Sequence, residues 1–307
     1  MLTSLASSPI PSPRAAPPGA ASIDASLARG IRRTYFRELE GQWKRLKKAR
    51  TQAMGRNASI ARRINSDKQL RERLHQLEKM VGSLIPCASA YVDANSRGAA
   101  FILGLRPNVI PTLPIAECQA NLVALTLLRP GHFLEVGVRV KVSGHAVDRV
   151  VQRAKLVELP LRKPDIEAIN AEFADALPLA CIATEILLEV ERTQGEDCAR
   201  DTQVLLPAPH GVFLASWSCE EQALIIRTFI DGAKLTDPQR EAVREIAQWA
   251  DGQLSTQVLN ILTAGWMNVG VTGLKERLLQ TWRDYGWRFD EQRLHPGLSD
   301  RAWAAPH

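Results

Sequence analysis

"HFLEVGVRVKVSGHAVDRVVQRA", residues 132–154, decides the fold class, because its hydrophobic period changes once, part-way along. Leu134, Val136, Val138, Val140 and Val142 alternate with Glu135, Gly137, Arg139 and Lys141. That period of two places one face of a β-strand against a core. After Ser143 the apolar residues Ala146, Val147, Val150, Val151 and Ala154 return every three or four positions, while His145, Arg149, Gln152 and Arg153 fall on the other side of a helix. Ser143 is placed to cap that helix. A strand running straight into a capped helix belongs to a mixed architecture.

Upstream, "QANLVALTLL" at 119–128 meets this strand across the turn "RPG", which predicts an antiparallel pair. Downstream, "KPDIEAINAEFADAL" reads as a short helix opened by Pro164 and Asp165. "CIATEILLEVE" fits a strand about as well as a helix. "TQVLLP", "GVFLASW" and "QALIIRTFI" are three short apolar segments parted by "APH" and "SCEE", the arithmetic of a meander. "TDPQREAVREIAQWA" then predicts a helix with Asp237 as N-cap and Pro238 at its first position, and "STQVLNILTA" and "VTGLKERLLQTWRDY" predict two more. The class is therefore α+β, with a central antiparallel sheet and packed helices. An N-terminal basic helical arm and a C-terminal helical region flank it.

The arm is read from the charge. Residues 29–79 hold 16 Lys or Arg against 5 Asp or Glu, whereas residues 80–307 hold 22 against 27, so the net charge of +6 is local rather than general. Phe36, Leu39, Trp43 and Leu46 form one apolar stripe; Leu70, Leu74, Leu77, Val81 and Leu84 form a second, with a break near "GRNAS". Two helices that pack on the body or on each other fit this pattern. The first 28 residues, rich in Ser, Pro and Ala, read as a disordered leader, similar in composition to the export leaders of bacterial type III effectors and equally to plain tails. The organisation expected is a leader at 1–28, the basic arm at 29–85, an α+β core at 86–232 and a helical region at 233–307.

Composition bounds the chemistry. The chain has 307 residues, 45% of them hydrophobic, and no apolar run near the roughly 18 residues of a membrane span. Its five cysteines are odd in number, scattered and without a CxxC pair, so neither a disulfide framework nor a zinc knuckle is indicated. There is no GxxxxGK[ST] loop, no HExxH and no GxSxG elbow. No cofactor and no metal is implied.

The His145 helix holds the candidate chemistry. Positive potential from the helix N-terminus and from Arg149 one turn on favours a neutral imidazole, which can accept a proton. A positioned general acid or base contributes roughly 100- to 10,000-fold in rate, and guanidinium groups can hold a phosphate and offset its growing charge. RNA cleavage by its own 2′-hydroxyl needs those ingredients and no metal. The same side chains also describe the wet face of an ordinary amphipathic helix. His210, in "PAPHGVFL", lies in a turn between strands, where a histidine is either a second acid/base group or a surface residue. Trp249, Trp266, Trp282 and Trp287 read as core first and as base-stacking platforms second.

A strand, then "SGHAVDRVVQR", then a meander closing on "IIRTFI" resembles the microbial toxin nucleases of the barnase, EndoU, colicin and RelE group, over about residues 130–232. Members of that group carry an HAxxRxxxR-type helix and a Thr or Ser on a late strand. The resemblance implies His145 as acid or base, Arg149 and Arg153 as phosphate contacts, and Thr228 as a polar contact. Arg227 competes for the last role, since successive strand side chains take opposite faces. The long helical regions at both ends have no counterpart in the small toxins.

The leading expectation is a metal-independent ribonuclease-like bacterial toxin or effector, cytoplasmic or exported, whose residues 29–79 gather RNA, with a neutralising or chaperone protein as partner. The alternative is a non-enzymatic nucleic-acid-binding or adaptor protein of a plasmid or phage, using the same arm. A third reading gives the arm an acidic protein or an anionic membrane surface.

Overall fold

The computed structural model describes residues 23–56, 87–92, 99–108, 119–128, 132–154, 162–250 and 272–294, with helical positions at 68, 72 and 75 and the single residue 160. Helix α1 (Ala25–Arg56) opens the chain, followed by strands β1 (Cys87–Val92), β2 (Ala99–Asn108), β3 (Gln119–Leu128) and β4 (His132–Val142). Helices α2 (Gly144–Arg153), α3 (Lys163–Gln194) and the short α4 (Glu196–Arg200) come next. Strands β5 (Gln203–Ala208), β6 (Gly211–Ser218) and β7 (Ala223–Asp231) precede α5 (Asp237–Ala250) and α6 (Thr272–Leu294). Helix α1 begins inside the expected leader, where the Asp24 carboxylate accepts from the Leu27 N–H at 2.7 Å. The apolar stripe of residues 70–84, the helix expected at 255–264 and residues 1–22 lie outside the described residues.

The seven strands make one sheet in the order β1-β2-β3-β4-β7-β6-β5. β1 to β4 form one antiparallel meander and β5 to β7 a second, with His132 opposite Leu128 and Phe213 opposite Phe229 as the hairpins require. The expected antiparallel sheet needs one correction. The two meanders join through a parallel pair, Val140 to Val142 of β4 against Leu224 to Ile226 of β7, so the sheet is mixed. The cause is topological: strands joined by a long helical crossover return in the same direction, as two-residue turns cannot allow.

Helix α3 supplies most of that crossover and decides a segment whose sequence fits strand and helix equally. "CIATEILLEVE" is not a strand; the helix opened at Lys163 continues through it to Gln194, with Pro178 inside. Ala176, Leu177, Leu179, Ala180, Cys181, Ile182, Ala183, Ile186 and Leu187 are all buried, leaving no exposed side over that stretch. A helix apolar all round is a core helix, and its sequence carries no 3.6-residue period to reveal it. α3 contacts both edge strands, β1 and β5, as well as β4 and β7, so the sheet curls around it. Phe173 of α3 stacks on Phe213 at 4.7 Å, and Phe213 meets Phe229 at 5.1 Å.

The outer helices close the core. In α1, Ala28, Ile31, Tyr35, Phe36, Leu39 and Leu46 are buried in the same cluster as the sheet and α3. Tyr35 donates its hydroxyl to Asn170 Oδ1 of α3 at 2.7 Å, and Trp43 donates its indole N–H to the Leu105 carbonyl of β2 at 2.7 Å. α6 is tied to α3 by Lys275 with Glu189 at 2.8 Å and by Arg283 with Gln194 at 2.6 Å. Helix α5 starts at Asp237, one residue before its expected first position at Pro238. The Thr236 N–H donates to Gln239 Oε1 at 2.9 Å, which makes Thr236 the capping residue of a T-x-x-Q box. Trp282 is fully buried, as the core reading has it; the side chains of Trp249, Trp266 and Trp287 lie outside the described residues.

Candidate nucleic-acid interface

Helix α2 is fixed at both ends by the edge of β7. The Ser143 N–H, just past the end of β4, extends the parallel ladder by donating to the Ile226 carbonyl at 3.0 Å, and beyond it β7 has no strand on that side among the described residues. Ser143 Oγ then caps α2 by accepting from the Ala146 N–H at 3.1 Å, as its sequence position predicts, and donates to the Arg227 carbonyl at 2.9 Å. One helix-length further, Arg153 donates Nη1 to the Phe229 carbonyl. An orphaned sheet-edge carbonyl is costly to bury. Arg153, expected as a phosphate contact, therefore serves the fold through at least this bond.

Residues that pack toward the core leave the other face of α2 to the expected polar row. Arg149 Nε donates to His145 Nε2 at 3.2 Å, and Arg149 Nη1 donates to Gln152 Oε1 at 3.1 Å. The three are half-buried and lie along about two turns of helix. His145 and Arg149 are thus brought together as the spacing predicts, with Nε2 accepting.

The neighbour of this row is α1. Arg32 of α1 and Asp148 of α2 form an ion pair at 2.6 Å, with their side chains only 4% and 14% exposed. Burial raises the Asp148 carboxyl above its ordinary 3.8, against the pull of Arg32, Arg29 and Arg149. The ion pair sets α1 directly beside α2, the helix that carries the His145 row. Arg32 Nε and Nη2 and Asp148 Oδ1 find no protein partner among the described residues. Sequence reasoning assigned neither Arg32 nor Asp148 a role. Their separation of 116 positions hides the contact, and only the placement of two charges on otherwise apolar helix faces hinted at it.

His210 is elsewhere. It occupies the β5–β6 turn, and its carbonyl accepts from the Gly232 N–H beyond the end of β7 at 2.8 Å. His145 follows the residue bonded to Ile226. The two anchor points are separated by six positions of β7, about 15–20 Å along an extended chain. The two histidines do not share one acid/base centre.

His210 has a partner of its own. Glu172 of α3, fully buried, accepts from the His210 N–H at 3.2 Å through Oε2 and meets the ring at Nδ1 through Oε1, while the His210 side chain is 44% exposed. Burial raises the Glu172 carboxyl above 4.5; its bonds to His210 oppose that, and Asp175 adds to it. Both carboxylate oxygens being spent on one residue, Glu172 orients the imidazole and turns Nε2 outward.

Thr228 and Arg227 do not separate cleanly onto two faces. The register shifts between Leu214 and Ala215, so β7 carries an extra residue at Arg227. Thr228 stands opposite Leu214, on the face away from Phe213 and Phe229, and Arg227 Nε reaches Ser216 Oγ on that same face. What α2 takes from β7 is the carbonyl of Arg227, not either side chain.

A groove of about 510 Å³ opens at the far end, lined by Glu196, Arg200, Trp217, Cys219, Glu220 and Arg227 among others. Of its charges, Arg200 pairs with Glu196 at 3.9 Å and with the nearby Asp197 at 3.2 Å. The Cys219 thiol is pushed up by burial and by Glu191 and Glu196, which disfavours the nucleophilic thiolate. Among the described residues no three His, Cys, Asp or Glu side chains are grouped as metal ligands, and no helix is long and apolar enough to cross a membrane.

No known family, curated protein or solved structure matches this chain.

Proposed function

We propose that the protein binds nucleic acid, RNA foremost, through the joined faces of α1 and α2. One observation carries the reading: the buried Arg32–Asp148 ion pair at 2.6 Å holds α1, with its exposed cations, directly against α2, the helix that bears the His145 row. Arg29, Arg33, Arg37, Lys44 and Lys48 are exposed on α1, and counterion release from phosphates would make binding fall steeply with salt. The test is RNA affinity as a function of salt. Reversing Arg33 and Arg37 to Glu is expected to flatten the log–log slope by about 0.7–0.9 for each phosphate no longer neutralised. Affinity and slope that both stay unchanged would end the proposal.

A second reading, a metal-independent ribonuclease-like toxin or effector as the resemblance to the barnase, EndoU, colicin and RelE group implies, is favoured by one feature. His210, oriented by buried Glu172, has the form of a general base. Cleavage on that reading is expected to be lost in one histidine variant, His210→Ala or His145→Ala, and kept in the other, because the two do not share a centre. RNA recovered intact from prolonged incubation with the purified protein would leave binding alone.

A further inference from the structure

We infer that the ligand of the α1–α2 face is a double helix gripped by its phosphates, not a single strand read through its bases; this rests on the nucleic-acid reading above. At 100° per residue, Arg29, Arg33, Arg37, Lys44, Lys47 and Lys48 fall within about a third of the circumference of α1, over roughly 28 Å of helix. Glu40 lies in the same stripe and is paired with Lys44 at 2.6 Å, so it subtracts little from the field. Successive i, i+4 cations stand about 6 Å apart along the axis, close to the step between neighbouring phosphates of one strand. Arg32, buried in the apolar face of α1, pairs with Asp148 at 2.6 Å and so brings α2 and its Arg149 alongside α1.

What the stripe lacks is as specific. Proteins that hold single strands combine cations with aromatic platforms on which bases stack. On α1, Tyr35 and Phe36 are buried; Trp43 is half-buried, its N–H spent on Leu105 and its ring faced by the Arg106 guanidinium at 5.9 Å. Among the described residues the one large hydrophobic side chain that is exposed is Leu27. The opposite side of α1 is packed on the body, so among the described residues the stripe is a convex ridge rather than a trough that could enclose a flexible strand. A convex, predominantly cationic ridge suits a duplex, whose bases are hidden and whose phosphates are regularly spaced outside.

The test uses the full chain and labelled probes of roughly 20 nucleotides, longer than the ridge: oligo(A), oligo(U), their RNA duplex and the matching DNA duplex. Either duplex is expected to bind at least about tenfold tighter than both single strands, and oligo(A) and oligo(U) to agree within about twofold. Arg33→Glu with Arg37→Glu is expected to lose about tenfold or more on the duplex with an unchanged circular dichroism spectrum. The stronger duplex identifies the source, RNA or DNA, and either supports the inference. A single strand bound as tightly as the duplex, or oligo(A) far above oligo(U), overturns it and leaves the nucleic-acid reading standing. Vesicles containing phosphatidylserine that bind where no nucleic acid does would overturn both.

Discussion

Arg32 and Asp148 show how one buried contact ties the arm to the body. Burying two charges costs several kcal/mol before their attraction is counted, and the raised Asp148 carboxyl shows that desolvation outweighs Arg32 there. The pair therefore fixes where α1 lies against α2 more than it adds net stability. Removing one partner leaves the other charge buried: Arg32→Ala is expected to cost about 3–5 kcal/mol in urea unfolding. Arg32→Met combined with Asp148→Leu is expected to recover most of that loss. A double variant as unstable as the single one would mean that the pair stabilises the fold outright. The Glu172–His210 pair follows a different logic, since one partner is half in solvent. Glu172→Ala is expected to free the ring, and NMR of the imidazole would show it as a loss of the single Nδ1-protonated form; an unchanged spectrum would remove Glu172 from the role of orienting group.

At the scale of elements, backbone approach sets the limits. A Cβ on Gly211 would lie 2.0 Å from the Ile230 carbonyl oxygen and 2.7 Å from Phe229 Cζ, whereas one on Gly195 meets nothing but sits at φ +98°. Gly211→Ala is thus expected to cost about 3 kcal/mol or more through displaced sheet backbone, and Gly195→Ala about 1–3 kcal/mol through strain alone. Denaturant midpoints in the opposite order would refute this account of the turns. The same elements show what the sequence could tell. Ser143, the period change around it and the His145–Arg149 spacing are local features, and they stand in the structure as they read in the chain. The length of α3 was hidden because a helix buried on every side has no polar face to set a period. The Glu172 partner of His210 was hidden because 38 residues separate them, and the parallel β4–β7 pair because neither strand alone specifies its direction.

Across the whole molecule, one apolar cluster runs from Ala28 in α1 to Trp282 in α6, so the cationic ridge is part of the core's own wall. Deleting α1 to test binding would uncover that cluster; charge reversal on its exposed side does not. The core also sets how stability responds to pH. Glu185 of α3 is half-buried, and burial raises its carboxyl above 4.5 against the opposing pull of Arg139, Arg192 and Lys275. A carboxyl raised in the folded state binds its proton more readily there than in the unfolded chain. Its stabilising contribution is therefore full below pH 4.5 and is lost as pH rises through the raised value. Asp148, Glu172 and Asp175 shift in the same direction, so four carboxyls in α2 and α3 share this sign. Glu185→Gln removes one titration while keeping the side chain's shape. The variant is expected to be more stable than the parent at pH 7 and equal to it near pH 4, by urea unfolding at both values. A Gln variant less stable than the parent at pH 7, with the gap closing in acid, would show that Arg139, Arg192 and Lys275 outweigh the burial of Glu185.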